Sequence, residues 1–141
     1  EEYVWENVIP GESKRLVKIE WRSKRLVGEI SFEKLPELRY LDCYWNEIKK
    51  LDVSANKELE TLICEVNSLR NLDVSKNTKL KNLNCSFALL TNLDLSKNVA
   101  LEKLECWGNQ LTALDVSGNA ELKELDCSNN DLTFLNVIES R

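Results

Sequence analysis

The chain has 141 residues, a net charge of −5 and no histidine, and its length fits one ordinary domain. The negative charge argues against nucleic-acid binding, because a nucleic-acid-binding protein needs a basic surface to neutralise phosphates. The missing histidine excludes Ser-His-Asp and Cys-His catalysis and removes the commonest metal ligand. No apolar run approaches the roughly 20 residues of a membrane-spanning helix. We therefore expect a non-enzymatic domain with no cofactor, no metal, no nucleic-acid partner and no membrane span.

The five cysteines lie at a constant interval of 21 residues, and three columns of leucines repeat with the same period. Such self-similarity is the signature of a repeat architecture, in which neighbouring units stack and bury a continuous core. An odd number of cysteines cannot close a disulfide framework within one chain, and closely spaced zinc-ligand pairs are absent from the sequence. We therefore predict that the cysteines are small apolar core side chains, one in each coil. The column comprises Cys43, Cys64, Cys85, Cys106 and Cys127.

Each 21-residue unit is itself double. Residues 59–68 read Leu-x-x-Leu-x-Cys-x-x-Asn-x, and residues 69–79 read Leu-x-x-Leu-x-Val-x-x-Asn-x-x. Each half carries the period-2 alternation of a strand with one buried face. Neither half has room for a long helix. We therefore expect a mainly β solenoid of about six coils, with short parallel strands on both sides and little or no helix.

The repeat domain is predicted to span residues 16–141, with residues 1–15 as an N-terminal cap. A cap is needed because an open solenoid end exposes both the core and a strand edge, and Tyr3 and Trp5 are its predicted packing residues. The spacing in the first coil places one extra residue near Gly28. No matching C-terminal cap is evident, so the natural chain either continues or packs its end on another chain. The predicted coils are residues 16–37, 38–58, 59–79, 80–100, 101–121 and 122–141.

Each half of the repeat ends in an asparagine, and these asparagines form two columns. A buried asparagine at a turn can bond backbone groups of its own coil and of the neighbouring coil, so the columns are predicted to form stacked ladders. Ladders of this kind would explain why a loop-rich fold contains only four glycines. Ala88 interrupts the first ladder, and we expect a local defect there. The ladders comprise Asn46, Asn67, Asn109 and Asn130 on the cysteine side, and Asn56, Asn77, Asn98 and Asn119 on the other side.

Residues 38–48 read Leu-Arg-Tyr-Leu-Asp-Cys-Tyr-Trp-Asn-Glu-Ile and resemble the leucine-rich-repeat signature Leu-x-x-Leu-x-Leu-x-x-Asn/Cys-x-Leu. The nested form, with its Leu-x-Cys-x-x-Asn and Leu-Asp-Val-Ser-x-Asn halves, is similar over residues 16–138 to a bacterial class called IRREKO repeats. The resemblance implies a right-handed solenoid used for binding, often on a secreted or cell-surface protein. A cytoplasmic location stays open, and the resemblance names no ligand. Trp21, Lys24 and Ala88 depart from the pattern of the family.

Two columns of charged residues follow the repeat. The aspartate column points outward, where stacked like charges repel; it either recruits a divalent cation or, as we favour, shares nearby hydroxyl and lysine donors. The second column alternates in sign at every coil, which predicts opposite charges side by side along one edge of the solenoid. The aspartates are Asp52, Asp73, Asp94 and Asp115, and the alternating residues are Arg39, Glu60, Lys81, Glu102 and Lys123.

A basic cluster lies on the first coil. The cluster could bind an anionic surface, although the favoured interpretation is a solvated end face of the solenoid. Its members are Lys14, Arg15, Lys18, Arg22, Lys24 and Arg25.

The cysteine side of the solenoid varies from coil to coil, whereas the Leu-Asp-Val-Ser side hardly varies. Its outward positions are unexpectedly apolar, and exposed aromatic patches often mark binding surfaces. The alternative is that the cap, an adjacent domain or another copy of the chain covers these residues. We call this predicted ligand-binding set the apolar strip. It comprises Tyr44, Trp45, Ile63, Val66, Phe87, Leu89 and Trp107.

The favoured function is a non-enzymatic recognition module that binds a protein, or a glycan, through the variable cysteine-side sheet. The alternative is a structural, assembly or spacer domain of a larger surface protein, with self-association through its C-terminal edge. Catalysis by paired carboxylates is disfavoured, because no convergent pair is evident in the sequence.

Overall fold

The computed structural model describes residues 3–6 and 15–137, which form a parallel β-solenoid of about six turns. These residues contain no helix, and therefore none that could cross a membrane. The 21-residue period produces this shape because it returns the same part of the pattern to the same side of every coil. The strands are β1 (Tyr3–Glu6), β2 (Arg15–Glu20), β3 (Val27–Ser31), β4 (Tyr40–Asp42), β5 (Glu47–Asp52), β6 (Thr61–Ile63), β7 (Asn82–Asn84), β8 (Lys103–Glu105), β9 (Ala113–Asp115), β10 (Glu124–Asp126) and β11 (Phe134–Asn136).

The cysteine-side sheet has seven strands in the order β1-β2-β4-β6-β7-β8-β10. From β2 to β10 the strands are parallel and in register, so that Leu41, Leu62, Leu83 and Leu104 are direct neighbours on successive strands. The strand β1 pairs antiparallel with β2 at one edge of the sheet. The assignment of residues 1–15 as a cap stays a prediction, since the side chains of the proposed packing residues lie outside the described part of the chain.

Strands also lie on the other side of the solenoid, where they form two separate parallel pairs, β3–β5 and β9–β11. Between these pairs, residues 69–74 and 90–95 run without a regular strand. Arg70 and Leu89 both have φ of 60°, a left-handed conformation that interrupts an extended strand. The pairing of β3 with β5 changes register between Gly28 and Glu29, where the sequence spacing places its extra residue.

The leucine and cysteine columns form one continuous core. Cys43, Cys64, Cys85 and Cys106 are buried, and all the cysteines are free thiols. Burial raises the pKa of Cys43 to about 12 and holds the pKa of Cys64 well above its usual value. These thiols therefore stay protonated at neutral pH and pack as small apolar side chains, because the thiolate is the form that attacks electrophiles or binds metals.

The cysteine-side asparagines tie neighbouring coils together. The side-chain amide of Asn67 donates to the carbonyl oxygens of Cys43 at 3.0 Å and Cys64 at 3.1 Å, and its Oδ1 accepts from the Ile48 N–H at 3.0 Å. The other ladder also crosses coils, since the Asn77 side chain donates to Val53 O and Asn56 O, both at 2.9 Å. Each asparagine thus donates to carbonyls of two neighbouring coils and links them.

Ala88 produces the expected local defect in the first ladder. In the described hydrogen bonds, the carbonyls of Cys64 and Cys85 each accept from one asparagine, whereas the carbonyl of Cys43 accepts from two. The Ala88 carbonyl instead accepts from the Arg70 N–H at 3.0 Å. The defect therefore coincides with the stretch in which the other side of the solenoid loses its regular strands.

The aspartate column consists of turns closed by side chains. Asp52 Oδ1 accepts from the Ser54 N–H at 3.0 Å and from the Ser54 hydroxyl at 2.7 Å, and Asp73 accepts from the Ser75 N–H at 2.9 Å. The hydroxyl and N–H of the serine lower the pKa of both aspartates. Serine donors are therefore the interactions that the structure shows at these carboxylates.

The alternating charged column pairs along the solenoid as its sequence predicts. Lys81 Nζ lies 2.8 Å from Glu60 Oε2, and Lys123 Nζ lies 2.8 Å from Glu102 Oε2. These pairs are exposed, so water screens them and they favour the correct register more than they stabilise the fold.

Several side chains of the basic cluster pair with acidic neighbours, which favours the solvated end face over an anion-binding surface. The most buried of these acidic partners is Asp42, whose carboxylate is fully buried and also accepts from the Tyr44 N–H at 3.0 Å. The pairs are Arg15–Glu37, Lys18–Glu20 and Arg22–Asp42.

The stacked core predicts a position-dependent cost of cavities. Leu83 is fully buried in the middle of the sheet, so Leu83→Ala should lower the free energy of unfolding by about 2–5 kcal/mol. Leu135 is 46% exposed, and Leu135→Ala should cost clearly less. Urea unfolding of the two variants measures both values. Equal losses would contradict the repeat assignment.

The lowered pKa values of the aspartates predict how stability depends on pH. A carboxylate whose pKa is lower in the folded state stabilises the fold above its unfolded pKa of about 3.9, and this contribution is lost as pH falls through the folded value. Replacing Asp52 and Asp73 by Asn keeps the turn acceptor but removes the titration, so the double variant should lose less stability between pH 5 and pH 3. Urea unfolding at each pH checks this. A double variant that loses as much stability as the native protein over this range would contradict the prediction.

Candidate binding surface

The chain turns a corner after each strand of the cysteine-side sheet, and the residue before the ladder position has a positive φ in all six coils. We call this set the corner column. Its members are Ser23 (53°), Trp45 (54°), Val66 (54°), Phe87 (48°), Gly108 (67°) and Asn129 (52°). Backbone bonds link the column from coil to coil: Trp45 N–H donates to Glu65 O at 3.0 Å, and Phe87 N–H donates to Trp107 O at 3.1 Å.

The occupants of the corner column differ in how well they tolerate a positive φ. Glycine adopts this conformation freely and asparagine tolerates it, as in Gly108 and Asn129. Other L-residues lose about 1–2 kcal/mol there, and a β-branched or bulky side chain is a genuine outlier. Trp45, Val66 and Phe87 are such outliers on three successive coils. The scaffold therefore carries large apolar side chains at positions where glycine or asparagine would be more stable.

The structure exposes the predicted apolar strip to different degrees. Trp45 is 62% exposed, Phe87 is 43% exposed and Leu89 is 39% exposed. The other members of the strip, including Tyr44 and Trp107, are half-buried. Exposure of large apolar side chains is normal when they are isolated, but here they occupy neighbouring coils and form a patch.

The strip contains two aromatic pairs at the corner. The rings of Tyr44 and Trp45 meet edge to face with centroids 6.1 Å apart, and those of Phe87 and Trp107 do so at 4.2 Å. Gly108 makes room for the second pair, since a Cβ at that position would lie 2.7 Å from Phe87 Cε1. These contacts hold the rings in place, so the aromatic surface is preorganised.

Ile63 occupies a different part of the surface. It lies in β6, where Asp42 of β4 and Asn84 of β7 are its neighbours across the sheet. The sequence-based strip is therefore two adjoining surfaces: the corner, with its aromatic pairs, and the outer face of the sheet.

A groove of about 580 Å³ runs beside Trp45 and Val66 at the corner. Apart from the ladder asparagines, its polar lining residues were not predicted from the sequence, because they differ in type from coil to coil and follow no repeat consensus. The glycine and asparagine of the corner column were the available signal that this corner is left-handed. The further lining residues are Ser23, Arg25, Asn46, Glu47, Asn67 and Ser68.

The opposite side of the solenoid carries a larger depression of about 910 Å³. Its lining includes Asp73, Asp94 and Asp115, whose carboxylates already accept from the following serines. In residues 3–6 and 15–137, no group of three or more His, Cys, Asp or Glu side chains is placed to hold a metal ion. The chemistry that the corner offers is apolar contact with flanking hydrogen bonds.

The parallel strands, leucine core and asparagine ladders define a leucine-rich-repeat solenoid with a period of about 21 residues. Two solved bacterial structures are similar to it. One is the functional domain of InlJ from Listeria monocytogenes, which includes a cysteine ladder; it is 40% identical, with a TM-score of 0.80 over 86% of this chain and 30% of that chain. The other is the LRR protein LIC12759 of Leptospira interrogans, which is 24% identical, with a TM-score of 0.66 over 74% of this chain and 32% of that chain.

The chain thus spans about a third of the length of these two structures. No family model matches the chain, and no curated protein sequence matches it. The similarity establishes a leucine-rich-repeat module of the recognition or structural kind, and such modules are typically non-enzymatic.

The positive φ of Val66 predicts a stabilising substitution. Val66→Asn should raise the free energy of unfolding by about 0.5–1 kcal/mol, because relief of the left-handed strain outweighs the loss of a half-buried side chain. The matched control is Val99→Asn, which replaces a valine that is 57% exposed and has no positive φ, and it should give no increase. Urea unfolding compares the two variants. A lower midpoint for Val66→Asn would show that the corner column is not strained.

Proposed function

We propose that this solenoid is a non-enzymatic recognition module that binds a protein or a glycan through the apolar strip. The observation that carries the proposal is the placement of Trp45, Val66 and Phe87 at left-handed corner positions, where each costs stability. A residue kept at a conformational cost on an exposed surface is expected to serve something other than folding. Contact with a ligand would use the exposed apolar area that these side chains present.

The preorganised aromatic pairs support the same proposal. A ring that is already held by its neighbour loses little conformational entropy when a ligand packs on it. Aromatic side chains also supply the largest contributions at many interfaces, since they combine a large apolar area with few rotatable bonds. By the resemblance to repeats of secreted and surface proteins, we place this module on the outside of a bacterial cell.

An assembly role is the second candidate, and exposed residues near the C-terminal edge favour it. Phe134, Leu135 and Val137 are exposed, although Leu135 continues a leucine column that is buried in the inner coils. A second copy covering this edge would bury that apolar area. However, an antiparallel pairing of two β10 strands about Leu125 would bring Glu124 of one copy opposite Asp126 of the other, and like charges directly opposite destabilise a sheet.

Removal of Trp45 and Trp107 tests the recognition role. The native protein is first screened against an array of glycans and an array of proteins. For any ligand found, Trp45→Ser combined with Trp107→Ser should weaken binding at least tenfold, because both aromatic pairs lose a ring. The matched control, Val27→Ser with Val99→Ser, removes two exposed apolar side chains outside the strip and should bind as the native protein does.

Two results would contradict the recognition role. One is unchanged binding by a folded tryptophan variant, with folding checked by circular dichroism. The other is growth of the scattering mass with concentration, abolished by Leu135→Lys, together with no ligand on either array. The second result would support the assembly role instead.

A further inference from the structure

We propose that the ligand of the corner column is a polypeptide, which lies along the solenoid axis as an amphipathic helix with an apolar stripe and basic flanks. This inference rests on the proposed function and narrows its ligand class. It concerns the three consecutive apolar members of the column, Trp45, Val66 and Phe87, with Leu89 beside them.

The spacing of the column matches a helix. Hydrogen-bonded coils place successive members about 4.8 Å apart along the axis. An α-helix advances about 5.4 Å per turn, and its residues at i, i+3, i+4 and i+7 form one apolar stripe. A helix parallel to the solenoid axis can therefore set one apolar side chain against each of three coils. This is the helix-in-groove mode of peptide recognition.

The chemistry of the column favours a polypeptide over a sugar. A sugar ring binds by stacking on a flat aromatic face with polar groups around it. The middle member, Val66, and the adjoining Leu89 are aliphatic and offer no such face. Each corner ring is also in edge-to-face contact with a second ring, Trp45 with Tyr44 and Phe87 with Trp107. A row of aliphatic and aromatic side chains instead suits the leucine-rich stripe of a helix.

Charge around the column favours a basic partner. Glu47 lines the groove beside Trp45, and the Glu65 carboxylate, which accepts from the Asn84 amide at 2.8 Å, lies on the sheet side of the column. Arg25 is the cation in the groove lining, at its end nearest the first coil. The whole chain has a net charge of −5, so the long-range field also attracts a basic segment.

The test uses a defined probe, a fluorescein-labelled peptide of Leu and Lys with Leu at i, i+3, i+4 and i+7. We call it the striped peptide. About 15 residues suffice, since shorter isolated helices are marginal in water. Fluorescence anisotropy should show saturable binding to the full chain. A peptide of the same composition with its leucines scrambled, which has no stripe, should bind at least tenfold more weakly.

The decisive protein variant is Val66→Asn, which removes the middle of the column, keeps the net charge and is compatible with the left-handed backbone. It should weaken binding of the striped peptide at least tenfold, whereas Val99→Asn should leave binding unchanged. Equal binding of the two peptides, equal binding by the Val66 variant, or no binding of the striped peptide would each overturn the inference.

A parallel titration separates this inference from the function on which it rests. If an oligosaccharide of N-acetylglucosamine binds and the striped peptide does not, the polypeptide inference is wrong and the recognition role stands. If peptide and oligosaccharide both bind the Trp45→Ser, Trp107→Ser variant as tightly as the native chain, the apolar strip itself is not the site. If Val66→Asn instead abolishes self-association of the native chain, the occupant of the column is a second copy.

Discussion

The hydrogen bonds from the ladder asparagines to cysteine carbonyls are the side-chain interaction that ties neighbouring coils together at the cysteine-side corner. In each coil that has the asparagine, its amide donates to the cysteine carbonyl three residues earlier, as Asn109 does to Cys106 at 2.9 Å. The same amide donates to Cys85 in the preceding coil at 3.0 Å. One side chain thus closes its own turn and holds two coils in register. These carbonyls are buried, so leaving them without partners would cost more than the bonds contribute when formed.

The two turns of each coil are closed by different kinds of hydrogen bond. On the Leu-Asp-Val-Ser side, the backbone N–H of Asn77 donates to Val74 O at 3.0 Å, which closes an ordinary turn without a positive φ. On the cysteine side the side chain takes that role, and the residue before the asparagine is turned into the left-handed region. Phe87 keeps this conformation, with φ of 48°, although Ala88 follows it. Backbone bonds to the neighbouring coil therefore maintain the corner where the ladder is interrupted.

Most of the fold could be predicted from sequence because the period is strict and the buried residues recur at fixed offsets. The cysteines, the leucine columns, the coil-crossing asparagines and the defect at Ala88 all follow from that spacing. The strand gap on the second side could not be predicted, since it depends on positive φ at Arg70 and Leu89, and neither residue type signals it. The small number of glycines was also misleading. Eight residues other than glycine have positive φ in the described part of the chain, and Gly108 and Asn129 were the only hint of this in the corner column.

The same contrast explains why a surface site can arise on one corner and not on the other. A turn closed by its backbone leaves its residues near ordinary φ values, so the side chains there can follow the consensus at no conformational cost. On the cysteine side, one residue per coil lies in the left-handed region whatever its type, even where Ala88 interrupts the ladder. Its identity is then free to change without loss of the corner, at a cost of about 1–2 kcal/mol when it is neither glycine nor asparagine. In a protein whose free energy of unfolding is on the order of 5–15 kcal/mol, three such costs on adjacent coils are a large fraction of the total.

A large apolar residue at this position is therefore stronger evidence for a binding role than the same residue on the sheet face. Ile63 occupies an ordinary strand position there and carries no such cost.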